Sequence, residues 1–516
     1  MRAQPAHKAE VPEPPRLVVL APNPFDARAV RRGAQDARVV HTGIGMRASR
    51  RAAARVRLLP GSAVAVTGVC MAIDPELQTG DLVLANEIRY PHGTVRIPAA
   101  GILAGALRRA GIEVRVGPVV SNPQGVLRGE RERLRGSGAI ALDTGSGWLA
   151  SGAGERPFAV LRAVVRTGSH QLGRPLVAAA AGARAHRALA EASWVLDSWA
   201  QVVAPHRVVL AGPRASCAGV ERAIEVVERA LESRGAPVYV RRQIVHNRHV
   251  VEELEERGAI FVQELDEVPA GAVTVLSAHG VAPTVRGEAA ERELSLIDAT
   301  CPLVSKVHRE ARQFAEAGYT IILVGHAGHD EVEGTLGHAP DRMKLVATVE
   351  EAERVEVDDP ARVAYLTQTT LAVDETREVV AVLERRFPTL VGPRSDDICY
   401  ATQNRQDAVR AVASASDVVF VIGSSNSSNS NRLVEVARRS GTPAYLIDDE
   451  EGIELEWLDG VRTVGLSAGA SAPERIVRRV LEALGGLGPV EVEERSVTTE
   501  AVRFGLPREL GTVARD

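Results

Sequence analysis

Three cysteines, Cys217, Cys301 and Cys399, occur in equivalent sequence contexts. Each follows a short apolar run and precedes apolar residues at helical spacing, so each is predicted to open a helix. Pro302 suits the first turn of the second helix because its φ angle is preset. The free N–H groups and the dipole at a helix N-terminus favour a thiolate, the form of cysteine that binds metal. Three such thiolates brought together could hold an iron–sulfur cluster.

Two other interpretations of these cysteines remain open at this point. A lone free cysteine is more often an unreactive core residue, although the threefold repetition of the context argues against that for the set. No pair has the C-x-x-C spacing of a zinc ribbon, which makes structural zinc the weaker metal assignment. The fourth cysteine, Cys70, follows a predicted strand without opening a helix. It is therefore not expected to bind the cluster.

Polar side chains that could bind an anion or move a proton follow several predicted strands. Loops at strand ends commonly carry active-site groups, so these residues are candidates for binding and catalysis. They are His246, His279, His329 and Glu331. The loop 423–431 places serines and asparagines before a predicted helix, which is typical of an anion cradle without lysine. A flexible linker is the alternative for this loop, and Ser471 fits a helix capping box almost as well as a site.

Composition limits the class of protein. The 516 residues are 45% hydrophobic and 25% charged, which is typical of a globular chain with several domains. The net charge of −4 gives no general attraction to nucleic acid or to a membrane surface. The first apolar run, 17–21, is too short for a membrane span or a signal sequence. We therefore expect a cytoplasmic protein with reduced cysteines and no nucleic-acid or membrane partner.

The first large part of the chain follows a flexible leader predicted for residues 1–15. Residues 16–203 alternate strand and helix signals, which predicts an α/β domain. The stretch 67–83 is similar to the nucleoside phosphorylase and nucleosidase family. Where that family has an acidic ribose-binding residue this chain has Gly145, and the family's catalytic aspartate would fall in 165–167, which holds no carboxylate. The resemblance therefore implies a phosphorylase-like domain that has lost its activity, with a retained nucleosidase activity as the alternative.

The second large part, residues 206–511, repeats one pattern of strand, cysteine and helix. The pattern recurs from 217 to 301 and from 301 to 399, and each interval is long enough for a small αβ subdomain. We predict three similar αβ modules around a shared centre, with one cysteine from each. The fold class expected for the whole chain is thus α/β.

Ordered motifs across this second part resemble the 4-hydroxy-3-methylbut-2-enyl diphosphate reductase family of the non-mevalonate isoprenoid route. They include Ala299-Thr300-Cys301-Pro302, Thr367-Gln368-Thr369-Thr370, Asp397-Ile398-Cys399-Tyr400-Ala401-Thr402 and Asn426-Ser427-Ser428-Asn429-Ser430-Asn431. One departure is Ala215-Ser216, where the family usually has glycine and an aromatic residue before the first cysteine. The resemblance implies two-electron reductive dehydroxylation of the diphosphate to isopentenyl and dimethylallyl diphosphates, with an electron donor such as ferredoxin or flavodoxin.

The same resemblance implies the site residues. One 4Fe-4S cluster would be held by Cys217, Cys301 and Cys399, with one iron open to the substrate. The proton would come from Glu331 together with Thr369 and His329. The substrate would be bound by His246, His279, His329, Thr369, Ser427, Ser428, Asn429 and Ser471. Two other functions stay open: a hydro-lyase that uses the cluster without net redox chemistry, and a non-catalytic regulator that carries it.

Overall fold

The computed structural model describes residues 16–122, 128–165 and 175–510. These residues form two compact units. Unit 1 runs to Arg207 and also includes Glu450–Arg462 and Arg479–Glu491. Unit 2 comprises Val208–Asp449, Thr463–Arg478 and the chain from Val492. Unit 1 thus takes in two segments far beyond residue 203, while the predicted leader lies outside the described residues. No helix in the described ranges is long and apolar enough to cross a membrane.

Unit 1 is built on one mixed sheet whose central strands are runs of small and β-branched residues buried on both faces. Its strands are β1 (Leu17–Ala21), β2 (Arg38–His41), β3 (Ala63–Ala72), β4 (Leu82–Tyr90), β5 (Gly93–Arg96), β6 (Val114–Ser121), β7 (Ala141–Asp143) and β8 (Phe158–Val164). Its helices are α1 (Pro24–Gly33), α2 (Met46–Val56), α3 (Ala100–Arg109), α4 (Arg128–Gly136), α5 (Ser146–Leu149), α6 (Pro175–Ala192) and α7 (Trp194–Val202). The order is β2-β1-β3-β7-β6-β4-β5, and β8 pairs with β3 and β4.

The rest of the chain continues the alternation of strand and helix. The strands are β9 (His206–Gly212), β10 (Val238–Arg241), β11 (Ala259–Val262), β12 (Val273–Leu276), β13 (Ser295–Asp298), β14 (Thr320–Val324), β15 (Met343–Val346), β16 (Val363–Thr367), β17 (Val418–Ile422), β18 (Ala444–Ile447), β19 (Thr463–Ala468) and β20 (Val490–Ser496). The helices are α8 (Ala218–Arg234), α9 (Arg248–Glu256), α10 (Pro283–Glu291), α11 (Pro302–Glu316), α12 (Asp330–Leu336), α13 (Val349–Arg354), α14 (Val373–Arg386), α15 (Tyr400–Ala413), α16 (Ser428–Arg439) and α17 (Glu474–Gly485).

These strands form three separate sheets, so the predicted α/β class and the three modules are confirmed. Module 1 holds the sheet β11-β10-β12-β13 and module 2 the sheet β15-β14-β16. Module 3 holds β18-β17-β19-β9-β20. The strand pairs of modules 1 and 2 are parallel, as are β17–β18 and β17–β19. Parallel pairing places the carboxyl ends of neighbouring strands, and the loops that follow them, at one edge of each sheet.

Each cysteine lies where the chain leaves one module and opens the first helix of the next. Cys217 follows β9 of module 3, yet α8 packs its buried face in the core of module 1. Cys301 follows β13 of module 1, and α11 packs in the core of module 2. Cys399 follows module 2, and α15 packs against β17 of module 3. The cysteines therefore sit at the three passages between modules, which brings them to the centre of unit 2.

Candidate active site

One cavity in unit 2 is lined by every site residue expected from the sequence. The three cysteines line it, together with His246, His279, His329, Glu331, Thr369, Ser427, Ser428, Asn429 and Ser471. These residues come from loops and first helical turns that follow strands of all three modules. The site is thus assembled from segments that lie up to 254 positions apart in the sequence, from 217 to 471.

The three cysteines occupy the N-cap positions of α8, α11 and α15, as predicted. The Sγ atom of Cys399 accepts a hydrogen bond from the Thr402 backbone N–H at 3.4 Å. Gly219 lies between the other two thiols, because a Cβ atom there would be 2.8 Å from the Sγ of Cys301 and 3.8 Å from the Sγ of Cys217. A larger residue at position 219 would fill the space that the sulfur atoms face.

The thiols differ from the sequence-based expectation in their charge. Burial, with a smaller contribution from the neighbouring Cys217, raises the pKa of the Cys301 thiol to about 12 and that of the Cys399 thiol to about 11. The expected preference for thiolate at a helix N-terminus is thus outweighed by loss of solvent and by repulsion between like charges. A cationic metal centre offsets both effects, and soft sulfur donors suit iron–sulfur clusters. Three convergent thiols around a space kept open by glycine therefore fit such a cluster.

A buried carboxyl group faces this cavity. Glu331 is 2% exposed, and burial raises its pKa to about 7 despite two hydrogen bonds from Thr369. The Thr369 backbone N–H donates to Oε1 at 2.6 Å, and the Thr369 hydroxyl lies 3.0 Å from Oε2. The backbone N–H of Glu331 donates to Nδ1 of His329 at 3.1 Å. Since Nδ1 accepts, the proton of neutral His329 is on Nε2.

Three imidazoles form a cluster beside the carboxyl group. The rings of His246 and His279 stack with centroids 4.0 Å apart, and His329 meets both edge-on at 5.4 and 5.8 Å. Burial lowers the pKa of all three, to about 4 for His329 and well below the usual value for His279. Each ring is therefore neutral before ligand binding and can take up a proton when an anion arrives.

Hydroxyl and amide groups at the start of α16 complete the lining. Ser427 is the N-cap of α16, and its Oγ lies 3.3 Å from the Oγ of Ser471. Thr370 donates to the Oγ of Ser428 at 3.1 Å. Asn429 is 4% exposed, and neither polar atom of its side chain has a hydrogen-bond partner within the described ranges. Buried amides are normally satisfied, so Asn429 is placed to bind a polar ligand.

A charged pair that the sequence does not predict lies beside the histidines. Asp330 lies with Oδ2 4.0 Å from Nδ1 of His279, and Arg242 binds Asp330 as well as Glu333 and Glu264. These ion pairs raise the pKa of Arg242 against the effect of its burial. Arg242 has a φ of 54°, in the left-handed region. No sequence pattern predicts a left-handed φ for an arginine.

Two further features of the site were not predicted from the sequence: a possible metal-ligand geometry and an aromatic residue in the lining. His246, His279 and Asp330 offer ligand atoms within 4.8 Å of one another, a spacing compatible with a metal ion, but Arg242 already binds Asp330. Phe504 lines the cavity from the irregular chain near the C-terminus. A single aromatic residue outside any helix or strand gives no signal of such a role.

Unit 1 has its own pocket, lined by two buried carboxyl groups at positions other than those compared in the sequence analysis. Asp143 pairs with Arg162, and Asp26 lies 2.9 Å from Nε2 of His186. Gly145 and Val165 also line the pocket, whereas residues 166 and 167 are outside the described residues. The loss of activity expected for this unit stays a prediction.

We expect Asp143→Asn to destabilise unit 1 by about 3–5 kcal/mol, because it leaves the charge of Arg162 buried and uncompensated. Both side chains of this pair are 2% exposed. The exposed pair of Glu76 and Arg115 provides the control, and Glu76→Gln should change the free energy of unfolding by less than about 1 kcal/mol. Denaturant titration measures both values. An equally small change in the free energy of unfolding for both substitutions would show that the buried pair does not stabilise unit 1.

Comparisons with known proteins agree with this arrangement. The profile of the LytB protein family matches residues 208–485. The 4-hydroxy-3-methylbut-2-enyl diphosphate reductase of Acidothermus cellulolyticus is 61% identical over 305 residues, which cover 59% of this chain and 90% of that protein. The solved E-1-hydroxy-2-methyl-but-2-enyl-4-diphosphate reductase of Plasmodium falciparum covers 60% of this chain and 97% of its own, with 35% identity and a TM-score of 0.57.

A solved 5′-methylthioadenosine/S-adenosylhomocysteine nucleosidase of Helicobacter pylori covers 35% of this chain, with 14% identity and a TM-score of 0.32. That likeness is too weak to support an argument about unit 1. The LytB match, in contrast, spans more than half of the chain and includes all three cavity cysteines. The chain belongs to the LytB protein family.

Proposed function

We propose that this chain is a 4-hydroxy-3-methylbut-2-enyl diphosphate reductase. The reaction takes up two electrons and two protons, breaks the bond between carbon and the hydroxyl oxygen, and releases water with isopentenyl and dimethylallyl diphosphates. This is the terminal step of the non-mevalonate pathway. The observation that carries the proposal is one cavity in which three thiols, a buried carboxyl group and an anion-binding cradle face the same space.

Cys217, Cys301 and Cys399 would hold one 4Fe-4S cluster with one iron free of protein ligands. When bound, the cluster supplies the two electrons and a Lewis-acidic iron. A small electron-transfer protein such as ferredoxin or flavodoxin would deliver the electrons. Cys70 takes no part, because it is buried in the core of unit 1.

The diphosphate end of the substrate would be held by neutral donors and by imidazoles. His246, His279 and Asn429 face the cavity, and the first backbone N–H groups of α16 lie beside Ser427. A helix N-terminus and its serine hydroxyls favour a phosphate group. Arrival of the anion raises the affinity of the two histidines for protons, so binding supplies the positive charge that the resting cavity lacks.

Glu331 would supply the proton that lets the hydroxyl group leave as water. With a pKa of about 7, a large fraction of this carboxyl group is protonated at neutral pH. Its O–H can point to the Thr369 hydroxyl, 3.0 Å from Oε2, and Thr369 can pass a proton to the substrate. The neutral His329 fixes the backbone N–H of Glu331 and presents its own Nε2–H to the cavity.

Arg242→Met is expected to raise the KM for the diphosphate roughly tenfold with little change in kcat, an effect of about 1.4 kcal/mol. Without Arg242, the carboxylates of Asp330 and Glu333 repel the incoming anion. The double variant with Asp330→Asn should recover most of the lost affinity. Steady-state kinetics of the two single variants and the double variant test this, and a fall in kcat without recovery in the double variant would contradict it.

The proposed function is tested by anaerobic turnover of the intact chain with a chemical reductant. We expect both C5 diphosphates to form only when the reductant is present. A hydro-lyase would instead consume the substrate without net electron uptake, and a non-catalytic regulator would bind the cluster without consuming the diphosphate.

A further inference from the structure

Each helix that a cysteine opens carries a cationic side chain in its second turn. Arg222 lies five residues after Cys217 in α8, and Lys306 lies five residues after Cys301 in α11. Arg405 lies six residues after Cys399 in α15. Arg222 and Arg405 are buried and Lys306 is half-buried. Each carries a positive charge that is costly to bury without a partner.

In each case the partner is the backbone just before the next cysteine. Arg222 donates from Nη1 to the carbonyl oxygens of Ala299 and Thr300, both at 3.1 Å, and Thr300 directly precedes Cys301. The guanidinium group also donates from Nε to the carbonyl of Gly505 at 2.7 Å. One arginine thus joins the first helix of module 1 to the last residues of that module.

The same contact recurs in module 2. Lys306 binds the backbone carbonyl oxygens of Ser395 and Asp396, the latter at 3.2 Å, and the carboxylate of Asp397 at 3.0 Å. These three residues come shortly before Cys399. The other carboxylate oxygen of Asp397 accepts the backbone N–H of Thr367 at 2.9 Å, which fixes the loop to the end of β16.

A third contact of the same kind is made in module 3. Arg405 donates from Nε and Nη2 to the carbonyl oxygen of Ala215, at 3.0 and 2.7 Å, and Ala215 lies two residues before Cys217. Its Nη1 pairs with Glu500 at 2.9 Å. The three contacts therefore form a cycle in which each helix opened by one cysteine binds the segment that presents the next.

We call Arg222, Lys306 and Arg405 the clamp residues. We propose that the clamp residues are positioning residues that join the two ends of each module and thereby set the arrangement of the three cysteines. Each module begins and ends at a cysteine, so fixing its ends fixes the separation of two thiols. This inference rests on the proposed function, because the cysteines are arranged to hold the iron–sulfur cluster that this function requires. Residues that orient metal ligands commonly affect metal affinity 10–100-fold.

The test uses Lys306→Met and Arg222→Met, which keep most of the side-chain volume and remove the donors. We expect each purified holoprotein to lose iron to a chelator at least roughly tenfold faster than the wild type. Arg309→Met is the matched control for Lys306, because Arg309 is exposed on the same helix. Arg229→Met is the control for Arg222, since Arg229 pairs with surface glutamates of α8. Both controls should lose iron at the wild-type rate.

A second measurement tests the clamp residues in the absence of the cluster. In the metal-free full-length proteins, amide hydrogen exchange should speed up in 395–399 for Lys306→Met and in 299–301 for Arg222→Met. Each change should be confined to the segment that the lost cation binds. Arg405→Lys, which keeps the charge of a buried residue, should likewise loosen 214–217 if Arg405→Met does not fold.

Exchange and iron loss at wild-type rates in both methionine variants would overturn the proposal. A uniform increase in exchange throughout unit 2 would also overturn it, because that result indicates general destabilisation. If the wild-type chain binds no iron, the proposed function is wrong, and the exchange pattern still decides whether the clamp residues hold these segments.

Discussion

Serine at Cys217, Cys301 or Cys399 is expected to abolish both reductase turnover and the visible absorbance of the iron–sulfur cluster. Serine keeps the size of the side chain and its N-cap position, but its hydroxyl is a hard donor that ionises far less readily than a thiol. The three cysteines line one cavity, so loss of one would leave only two of the three proposed protein ligands for the cluster.

Cys70→Ser is the matched control for these variants. Cys70 is 4% exposed in the core of unit 1, and burial raises the pKa of its thiol to about 12. Iron content, sulfide content and turnover should match the wild type in this variant. Wild-type absorbance in two of the three ligand variants would show that the cluster is held elsewhere.

Glu331→Gln should lower kcat by roughly 10²-fold or more while leaving the cluster spectrum intact. Glutamine keeps the shape of the side chain, and its amide oxygen can still accept the Thr369 backbone N–H while its NH2 group donates to the Thr369 hydroxyl, but it has no acidic proton to transfer. Iron content must be measured in parallel, because a fall in turnover caused by cluster loss has a different meaning. Glu333→Gln, an exposed position of the same helix, should keep a kcat close to that of the wild type.

The pH profile of kcat gives a second test of the role of Glu331. If the acid form of Glu331 donates the proton as proposed, its pKa of about 7 means that kcat should be highest below pH 7 and fall as the pH rises through that value. The alkaline limb should disappear in Glu331→Gln. A residual alkaline limb of the same midpoint in the variant would assign the titration to another group.

Local sequence pattern predicted the parts of the site that depend on local structure. A cysteine after an apolar run and before a helical stripe defines a helix N-cap, and all three cysteines occupy one. Polar residues after buried strands lie at the strand ends that face the cavity, as seen for His279 and Glu331. These inferences need only the period of the hydrophobic pattern and the direction of parallel strands.

Tertiary partners could not be predicted in this way. Nothing in the sequence links Arg222 to the carbonyl of Thr300, because backbone carbonyls carry no residue type. Arg242 combines a left-handed φ with three acidic partners, of which Asp330 and Glu333 lie some ninety residues further along the chain. The thiol pKa was misjudged for a related reason: the helix N-terminus is visible in the sequence, while burial at the centre of three modules is not.

Unit 1 gives a second example of the same limit. The alternation of strand and helix signals predicts a first domain that ends at 203, while Trp199 donates from Nε1 to the carbonyl oxygen of Gly486 at 3.1 Å, and Arg109 donates to the carbonyl oxygen of Ile453 at 2.8 Å. A fragment cut at 203 would lose these contacts and expose the faces that they cover. Point variants in the full chain are therefore the sounder way to study unit 1.

We propose that three cysteines hold a cluster through which the diphosphate is reduced. The most direct test measures, on one anaerobic preparation, the iron and sulfide bound per chain and the electrons consumed per molecule of 4-hydroxy-3-methylbut-2-enyl diphosphate. We expect about four irons and four sulfides per chain, and two electrons consumed for each C5 product released. Conversion of the diphosphate without electron uptake, or full turnover by a chain free of iron, would contradict it.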